Sequence, residues 1–234
     1  MITVVTGGSR GIGRAIAAAL AAKGSDLLLV ARDSDRLKQT AADLHARHKV
    51  QVNTLVADLA REAEVDTLAQ HCIARSLIPD LLVLNAGIFR EGTLLQSEPT
   101  DYRATMDVNL NSIYYLVRHL APHMKDREKP RIVLIASTAA YEPYPIGALY
   151  GVAKWALRGY AINLRRELMP LGIGVTLLSP GGTLTDLWAG EELPVDRLLR
   201  PSDVGEIVAL LPTLSRQAVV EEVIIRPMLG DIHE

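Results

Sequence analysis

The chain has little of what several classes of protein need. It carries one cysteine, Cys72, so no internal disulfide can form, which suits a reducing compartment. Its formal net charge is −2 at pH 7, so no basic excess points to a nucleic-acid partner. No basic region followed by an apolar core opens the sequence, and its longest apolar stretches are too short to span a bilayer. We therefore expect a soluble cytoplasmic protein with neither a membrane nor a nucleic-acid partner.

Apolar residues are abundant, although few of them are aromatic. They make up 49% of the 234 residues, while Phe, Trp and Tyr together make up 4%. Short aliphatic strands buried between helices have this composition. Strand-like runs alternate with stretches of helical spacing, which predicts an α/β fold with a doubly wound parallel sheet. We expect seven strands at 2–6, 26–31, 51–57, 80–85, 131–137, 173–179 and 222–226, and helices at 12–23, 35–48, 61–75, 99–126, 148–169 and 202–214.

Two irregular stretches, 86–98 and 181–201, directly follow expected strands. In an open α/β sheet, the loops after the carboxyl ends of the strands form the ligand crevice. Long loops at this edge are better candidates for a binding site than for simple connections. No linker or internal repeat interrupts the pattern, so we expect a single domain over residues 1–234.

The first strand leads into a helix through the glycine-rich stretch "TGGSRGIG". Gly7, Gly11 and Gly13 lie in the turn and the first helical turn, where glycine lets a ligand approach the main chain. The free N–H groups of a helix N-terminus attract a pyrophosphate. The spacing G-x-x-x-G-x-G differs from the common dinucleotide fingerprint, so a glycine-rich turn without a ligand is the alternative.

The end of the second strand bears on the choice of nucleotide. An acidic residue there would bind the ribose hydroxyls of NAD(H), but the chain has Ala31 followed by Arg32. Arg10 lies in the glycine loop, and two guanidinium groups near the ribose favour a 2′-phosphate. We therefore expect NADP(H). The alternative is that both arginines are solvated surface charges, with Asp33 able to pair with either.

Six short motifs resemble, in order and spacing, those of the short-chain dehydrogenase/reductase family. They are "TGGSRGIG", "NAG" at Asn85–Gly87, "VNL" around Asn109, "IAS" ending at Ser137, "YGVAK" at Tyr150–Lys154, and "SPGGTLT" at 179–185. The resemblance runs from residue 3 to about residue 186 and is weaker through "EEVIIRP". It implies a Rossmann-like domain that transfers hydride between NADP(H) and a carbonyl or alcohol substrate.

Tyr150 and Lys154 are four residues apart, so one helical face presents both side chains. A free phenol has a pKa of about 10, and a nearby ammonium stabilises the phenolate. The resemblance implies that Tyr150 is the general acid or base, and that Lys154 holds the nicotinamide ribose and lowers the pKa of Tyr150. It also implies that Ser137 positions the substrate oxygen and that Asn109 supports Lys154 in a proton relay.

The resemblance extends to the remaining cofactor contacts. Asp58 matches a residue that binds the adenine amine, although it is also placed to cap the next helix. Asn85 is expected to stabilise the sheet more than to take part in the chemistry. The expected cofactor-binding set is Gly7, Ser9, Arg10, Gly11, Ile12, Gly13, Arg32, Asp58, Leu59, Asn85, Ala86, Gly87, Tyr150, Lys154, Pro180, Gly181, Thr183 and Thr185. We expect no metal.

The substrate is not identified by any motif, and small to medium aldehydes or ketones are expected. One wall of the substrate site is expected to be formed by Tyr141, Glu142 and Tyr144, and a short lid is expected over 186–200. Arg90 is the one candidate for binding a substrate carboxylate. Gly182, where the family often has a bulky residue, should enlarge the site. A 3-oxoacyl-thioester reductase and a non-catalytic NADP-binding regulatory protein are the alternatives to this function.

The resemblance also implies a homodimer or homotetramer that pairs through the long helices 99–126 and 148–169.

Overall fold

Seven parallel strands form one sheet in the order β3-β2-β1-β4-β5-β6-β7. A computed structural model describes residues 1–186 and 195–231 of the chain. The strands are β1 (Ile2–Thr6), β2 (Asp26–Ala31), β3 (Val52–Val56), β4 (Leu81–Leu84), β5 (Arg131–Ile135), β6 (Gly174–Pro180) and β7 (Glu222–Ile225). The helices are α1 (Gly11–Ala22), α2 (Ser34–His48), α3 (Glu62–Ala74), α4 (Pro99–Met106), α5 (Ser112–Met124), α6 (Ala148–Leu168) and α7 (Pro201–Leu210). The predicted doubly wound α/β fold is confirmed.

The two faces of the sheet are covered by different helices. Because side chains alternate along a strand, Val4 and Leu28 pack on the face covered by α3, α5 and α6, whereas Val5 and Leu29 pack towards α1, α2 and α7. The central strands are therefore largely apolar, with buried threonines such as Thr3 and Thr6 of β1 among the exceptions. Cys72 of α3 lies in the first of these cores, and burial raises the pKa of its thiol to about 11. The side chain thus serves as a small apolar residue of the core.

The order of the strands places the ligand crevice. β1 pairs with β2 on one side and β4 on the other, so the connections on the two sides of β1 run in opposite directions across the sheet. The loops after β1 and β4 separate at this point and leave a crevice at the carboxyl edge. The glycine loop and the loop that begins at Asn85 flank it.

Two elements differ from their predicted bounds in ways that affect the site. The predicted helix 99–126 is interrupted by a π-helical stretch, Asp107–Asn111, which holds Asn109 and separates α4 from α5. Such stretches are often found at functional sites. The predicted strand 131–137 ends earlier, because Ser137 begins a short 3-10 turn at Thr138–Ala140.

The described ranges were also searched for two other features. No helix in 1–186 or 195–231 has both the length and the apolar composition needed to cross a bilayer. Within the same ranges, no three His, Cys, Asp or Glu side chains are grouped as metal ligands would be.

Candidate active site

The glycine loop forms a cradle of main-chain groups at the start of α1. Gly7 and Gly11 have φ angles of +68° and +52°, which residues with a Cβ rarely adopt. A Cβ at Gly13 would collide with the carbonyl of Gly7. The first turn of α1 carries no acidic residue, and the side chain of its N-cap, Arg10, makes no capping hydrogen bond. These free N–H groups and the close backbone packing fit the pyrophosphate of a dinucleotide.

Asn85 fixes the glycine loop to the neighbouring strand. Its Nδ2 donates to the carbonyl of Thr6 at 2.9 Å. The main-chain N–H groups of Asn85 and Ala86 both donate to the Thr6 hydroxyl, at 3.0 and 3.1 Å. This network sets the spacing between the loops after β1 and β4, so Asn85 has the structural environment that was expected for it. Ala86 and Gly87 continue along the floor of the crevice.

Basic side chains gather where the adenosine ribose is expected. Arg10 and Arg36 approach the same carboxylate oxygen of Asp186, at 3.5 and 3.0 Å. Asp33 pairs with Arg36 at 3.4 Å rather than with Arg10 or Arg32. Arg32 is exposed, and the ion pairs among the described residues do not include it. Sequence reasoning missed Arg36, whose only signal is its place in the first turn of α2, three residues after an acidic cap.

Asp58 makes a local turn instead of capping a helix. Its Oδ1 accepts from the N–H of Ala60 at 3.1 Å, while its own N–H donates to Glu64 at 2.6 Å. The N-cap of α3 is Arg61, so the alternative of Asp58 as a cap is wrong. Leu59 is buried beside it.

The predicted cofactor contact Ser9 lies in the glycine loop, where its main-chain carbonyl accepts a hydrogen bond from the Thr40 hydroxyl at 3.1 Å.

The loop after β6 folds back over the glycine loop. Pro180 ends the strand, and the N–H of Gly181 donates to Ile225 at 2.8 Å. The buried Thr183 donates its hydroxyl to the carbonyl of Gly181 at 2.9 Å, which closes a tight turn. The methyl group of Thr185 lies 3.2 Å from the position of a Cβ on Gly11. These contacts bring the "PGGTLT" segment against the expected pyrophosphate site.

A cavity of about 330 Å³ lies between this loop and the loop after β5. Ser137 and Tyr150 line one side of the cavity, and Ile12 lies at its glycine-loop end. Pro180, Gly181, Thr183 and Thr185 line the opposite side. The Oγ of Ser137 accepts from the N–H of Ala139 at 3.2 Å, which fixes the side chain at the turn. The fold thus brings Ser137 and Tyr150, two of the four predicted catalytic residues, to one space with the predicted nicotinamide-facing residues.

Lys154 is a buried ammonium group beside the Tyr150 ring. It is 3% exposed, and its Nζ donates to the carbonyl of Ile135 at 2.9 Å. The Nζ lies 5.3 Å from the centroid of the Tyr150 ring. Burial lowers the pKa of Lys154 to about 8, since desolvation disfavours the charged form.

The pKa of Tyr150 departs from the prediction. Burial raises it to about 12, a side-chain hydrogen-bond interaction with Ser137 lowers it in part, and Tyr144 raises it further. The net shift is therefore upward, opposite to the predicted lowering. Desolvation of the phenolate is the larger effect, and the ammonium stands over the ring and bonds to a main-chain carbonyl.

Asn109 is fully buried in the π-helical stretch and holds the loop after β4. Its Nδ2 donates to the carbonyls of Ile88 and Thr105, at 2.9 and 3.0 Å, and its Oδ1 accepts from the N–H of Ile88 at 3.3 Å. A Cβ on Gly87 would lie 2.7 Å from this Oδ1 and 3.8 Å from the Nζ of Lys154. Asn109 and Lys154 therefore face the same small space without a direct hydrogen bond between them.

Aromatic rings make the wall around Tyr150. The ring centroids of Phe89 and Tyr144 lie 5.6 and 6.0 Å from that of Tyr150. Glu142 and Tyr144 line the cavity as predicted, but Tyr141 does not, because its hydroxyl donates to Glu222 at 3.0 Å. Sequence reasoning missed Phe89, although its place in the 86–98 loop was a signal.

Two other predicted substrate contacts have different outcomes. Arg90 pairs with Asp101 at 2.6 Å and does not line the cavity, so its prediction as a carboxylate partner is wrong. Of the predicted lid, residues 187–194, with Trp188, lie outside the described residues. Asp231 lines the cavity from the segment after β7 and had no signal in the sequence.

Comparisons with known proteins agree with this geometry. A family model described as short chain dehydrogenase matches residues 1–194. Sepiapterin reductase from Chlorobaculum tepidum is 29% identical, covering 100% of this chain and 98% of the relative. An alcohol dehydrogenase from Thermococcus sibiricus, complexed with 5-hydroxy-NADP, has a TM-score of 0.88 at 29% identity, covering 97% of this chain and 96% of that one. L-sorbose reductase from Gluconobacter frateurii, complexed with NADPH and L-sorbose, has a TM-score of 0.88 at 26% identity, covering 96% and 94%.

Proposed function

We propose that this chain, an oxidoreductase that belongs to the short-chain dehydrogenase family, transfers hydride between NADP(H) and a carbonyl or alcohol substrate. It would thus act on CH–OH groups with NADP as acceptor. The observation that carries the proposal is the cavity beside the glycine loop, where Ser137 and Tyr150 share one wall and Lys154 is buried against the Tyr150 ring. Support for the cofactor comes from the solved structures that hold NADPH or 5-hydroxy-NADP.

The residues around the crevice fit NADP(H) along its length. The N–H groups at the start of α1 would hold the pyrophosphate, and Arg10 with Arg32 and Arg36 would hold the 2′-phosphate. Asp58 and Leu59 would border the adenine, Ala86 and Gly87 the ribose, and residues 180–185 the nicotinamide. When bound, NADPH supplies the hydride that reduces the carbonyl carbon.

Tyr150 is placed to act as the acid. Because the pKa of its phenol is raised to about 12, the phenol keeps its proton at neutral pH, and a protonated phenol is the form that a general acid needs. In carbonyl reduction, the proton moves from the Tyr150 hydroxyl to the substrate oxygen. The Ser137 hydroxyl donates a hydrogen bond to that oxygen and orients it. In alcohol oxidation the proton would move the other way, from the alcohol to the Tyr150 oxygen, and the raised pKa disfavours this direction at neutral pH.

Lys154 stabilises the phenolate that proton transfer leaves behind. With a pKa of about 8, its amine is mostly charged at neutral pH. One N–H donates to Ile135, and an ammonium has two further donors, which would bind the nicotinamide ribose and reach the space that Asn109 borders. Loss of the charge should therefore affect both the chemistry and the position of the cofactor.

The assembly and the location of the protein are proposed from its surface chemistry and its family. On the outer faces of α5 and α6, Tyr114, Val152, Trp155 and Ile162 are 44%, 41%, 47% and 45% exposed. Exposed apolar groups of this kind favour an interface between subunits. We propose that residues 1–234 act as one cytoplasmic domain that forms a homodimer or homotetramer.

The proposed reaction is tested by measuring the oxidation of NADPH in the presence of simple aldehydes, simple ketones and one 3-oxoacyl thioester. We expect the aldehydes and ketones to be reduced. Tyr150→Phe should lower kcat by about 100-fold or more, because the proton donor is lost, while NADPH binding, measured by fluorescence titration, should change less than about twofold. Binding without turnover of any carbonyl would favour a regulatory protein, and turnover of the thioester alone would favour the acyl-thioester alternative.

A further inference from the structure

Asp231 enters the substrate cavity from a part of the chain that lies far from the other site residues. It follows β7, and its carboxylate accepts from the N–H of Gly182 at 2.7 Å and from Arg226 at 2.6 Å. Its side chain is 18% exposed and lines the same cavity as Ser137 and Tyr150. The carboxylate is therefore held in place at the cavity wall by two named donors.

The glycine pair after Pro180 makes room for this carboxylate. A Cβ on Gly181 would collide with the carboxylate of Asp231, and a Cβ on Gly182 would lie 3.1 Å from Leu198 and 3.6 Å from Asp231. The sequence predicted that Gly182 enlarges the site. The structure shows that the space freed by the two glycines is occupied by Asp231, so the wall gains a charged group.

Within the described part of the chain, two charged residues line the cavity, and both are acidic: Glu142 and Asp231. Arg226 joins them from outside the lining, at 2.7 Å from Glu142 and 2.6 Å from Asp231. One guanidinium is thus shared by two carboxylates. Burial and then the charge of Asp231 raise the pKa of Tyr144, the ring beside Tyr150, so the field of Asp231 reaches across the cavity.

We propose that Asp231, together with Glu142, selects substrates by charge. The preferred carbonyl compound carries a cationic group or hydrogen-bond donors at the end remote from the carbonyl, and compounds with an anionic group there are rejected. A carboxylate at a partly desolvated wall attracts cations and donors and repels anions. This inference rests on the proposed carbonyl reduction, because it names the substrate class for that same site.

Three para-substituted benzaldehydes test this selection, with trimethylammonio, tert-butyl and carboxylate substituents, of which the tert-butyl group is neutral and has no hydrogen-bond donor. For each probe, the kcat/KM of a variant is divided by that of the wild type, so the intrinsic reactivity of the probe cancels in the ratio. Asp231→Asn removes the charge but keeps an oxygen that can accept from Gly182. We expect it to lower kcat/KM about tenfold for the cation, to raise it several-fold for the carboxylate, and to change it less than about twofold for the neutral probe. Glu206→Gln removes an exposed acid on α7 and should leave all three ratios near one.

The possible outcomes separate this inference from the proposed reaction. Equal ratios for the three probes in Asp231→Asn would overturn charge selection while leaving carbonyl reduction intact. If the wild type reduces none of the probes, calorimetry with benzyltrimethylammonium and benzoate decides the matter without turnover. Tighter binding of the cation to the wild type than to Asp231→Asn supports the inference, and equal binding contradicts it.

Discussion

The two sides of the crevice are built from different parts of the polypeptide. The cofactor side is made largely of main-chain groups within one short stretch, Gly7–Gly13, supported by hydrogen bonds from Asn85. The substrate side is made of side chains such as Phe89, Tyr144 and Asp231, which come from three separate connections. A main-chain site binds one constant ligand and tolerates almost no added atoms. A side-chain site can change its ligand through single substitutions.

The largest effect on cofactor binding is expected where the main chain itself is packed. Gly13→Ala would place a Cβ on the carbonyl of Gly7 and near Nδ2 of Asn85. We expect the free energy of unfolding to fall by about 1–3 kcal/mol and NADPH affinity to fall at least about tenfold. Fluorescence titration and chemical denaturation measure the two changes.

A second helical glycine provides the matched control for that variant. Gly159 of α6 is exposed and has no atom within 4 Å of an added Cβ. Gly159→Ala should stabilise the single subunit by about 0.5–1 kcal/mol, because alanine favours the helix. Since Gly159 lies on the α6 face proposed as an interface, size-exclusion chromatography checks that the variant assembles like the wild type. If both variants bind NADPH equally well, the close packing at Gly13 does not determine the affinity for the cofactor.

Lys154, which is buried against the Tyr150 ring, allows a test through pH. Its pKa falls from 10.5 in the free side chain to about 8 in the folded protein. Between these values the unfolded chain binds more protons than the folded one, so the contribution of Lys154 to stability rises as pH increases from about 8 to 10.5 and is lost as pH falls back. The shift is worth about 3 kcal/mol. Lys154→Met should abolish this contribution.

The measurement is the difference in unfolding free energy between the wild type and Lys154→Met across that pH range. Below about pH 9 the Tyr150 phenol is protonated in the folded and the unfolded chain alike, so its raised pKa does not contribute to the pH dependence of the difference there. A difference that stays constant with pH would show that the folded protein does not depress the pKa of Lys154. The variant should also lose about 100-fold in kcat, since the phenolate loses its neighbouring charge.

The smallest effects are expected at the exposed arginines of the cofactor side. Arg36→Ala should weaken NADPH binding by about three- to tenfold and leave NADH binding unchanged, because only NADPH carries the 2′-phosphate. Asp186→Asn should strengthen NADPH binding by about twofold, since the carboxylate shared by Arg10 and Arg36 would no longer compete with the phosphate. Parallel titrations with both nucleotides provide the comparison, and equal changes for NADPH and NADH would contradict this assignment.

The cofactor side could be predicted from the sequence because its information is local. The glycine spacing, the "NAG" stretch and the Tyr150–Lys154 spacing each lie within one turn or one element, and the fold brings them together at the carboxyl edge of the sheet. Arg36 was missed because an exposed arginine in a first helical turn looks like any other surface charge.

The rest of the site depends on quantities that short patterns do not contain. Nothing in the spacing of residues shows that the segment after β7 returns to the cavity, so Asp231 could not be placed. The sign of the Tyr150 pKa shift depends on burial, and the sequence shows only which charges are near in the chain. The π-helical stretch around Asn109 escaped notice because it changes the apolar periodicity of the helix only slightly.

The burial of Cys72 has a practical consequence for spectroscopy. Its thiol is inaccessible, and with a pKa of about 11 it is almost never a thiolate at neutral pH. Maleimide reagents should therefore ignore the native chain. A cysteine introduced in place of Leu95, which is 98% exposed on the loop beside the crevice, would carry a single fluorophore or spin label without any need to remove the native sulfur.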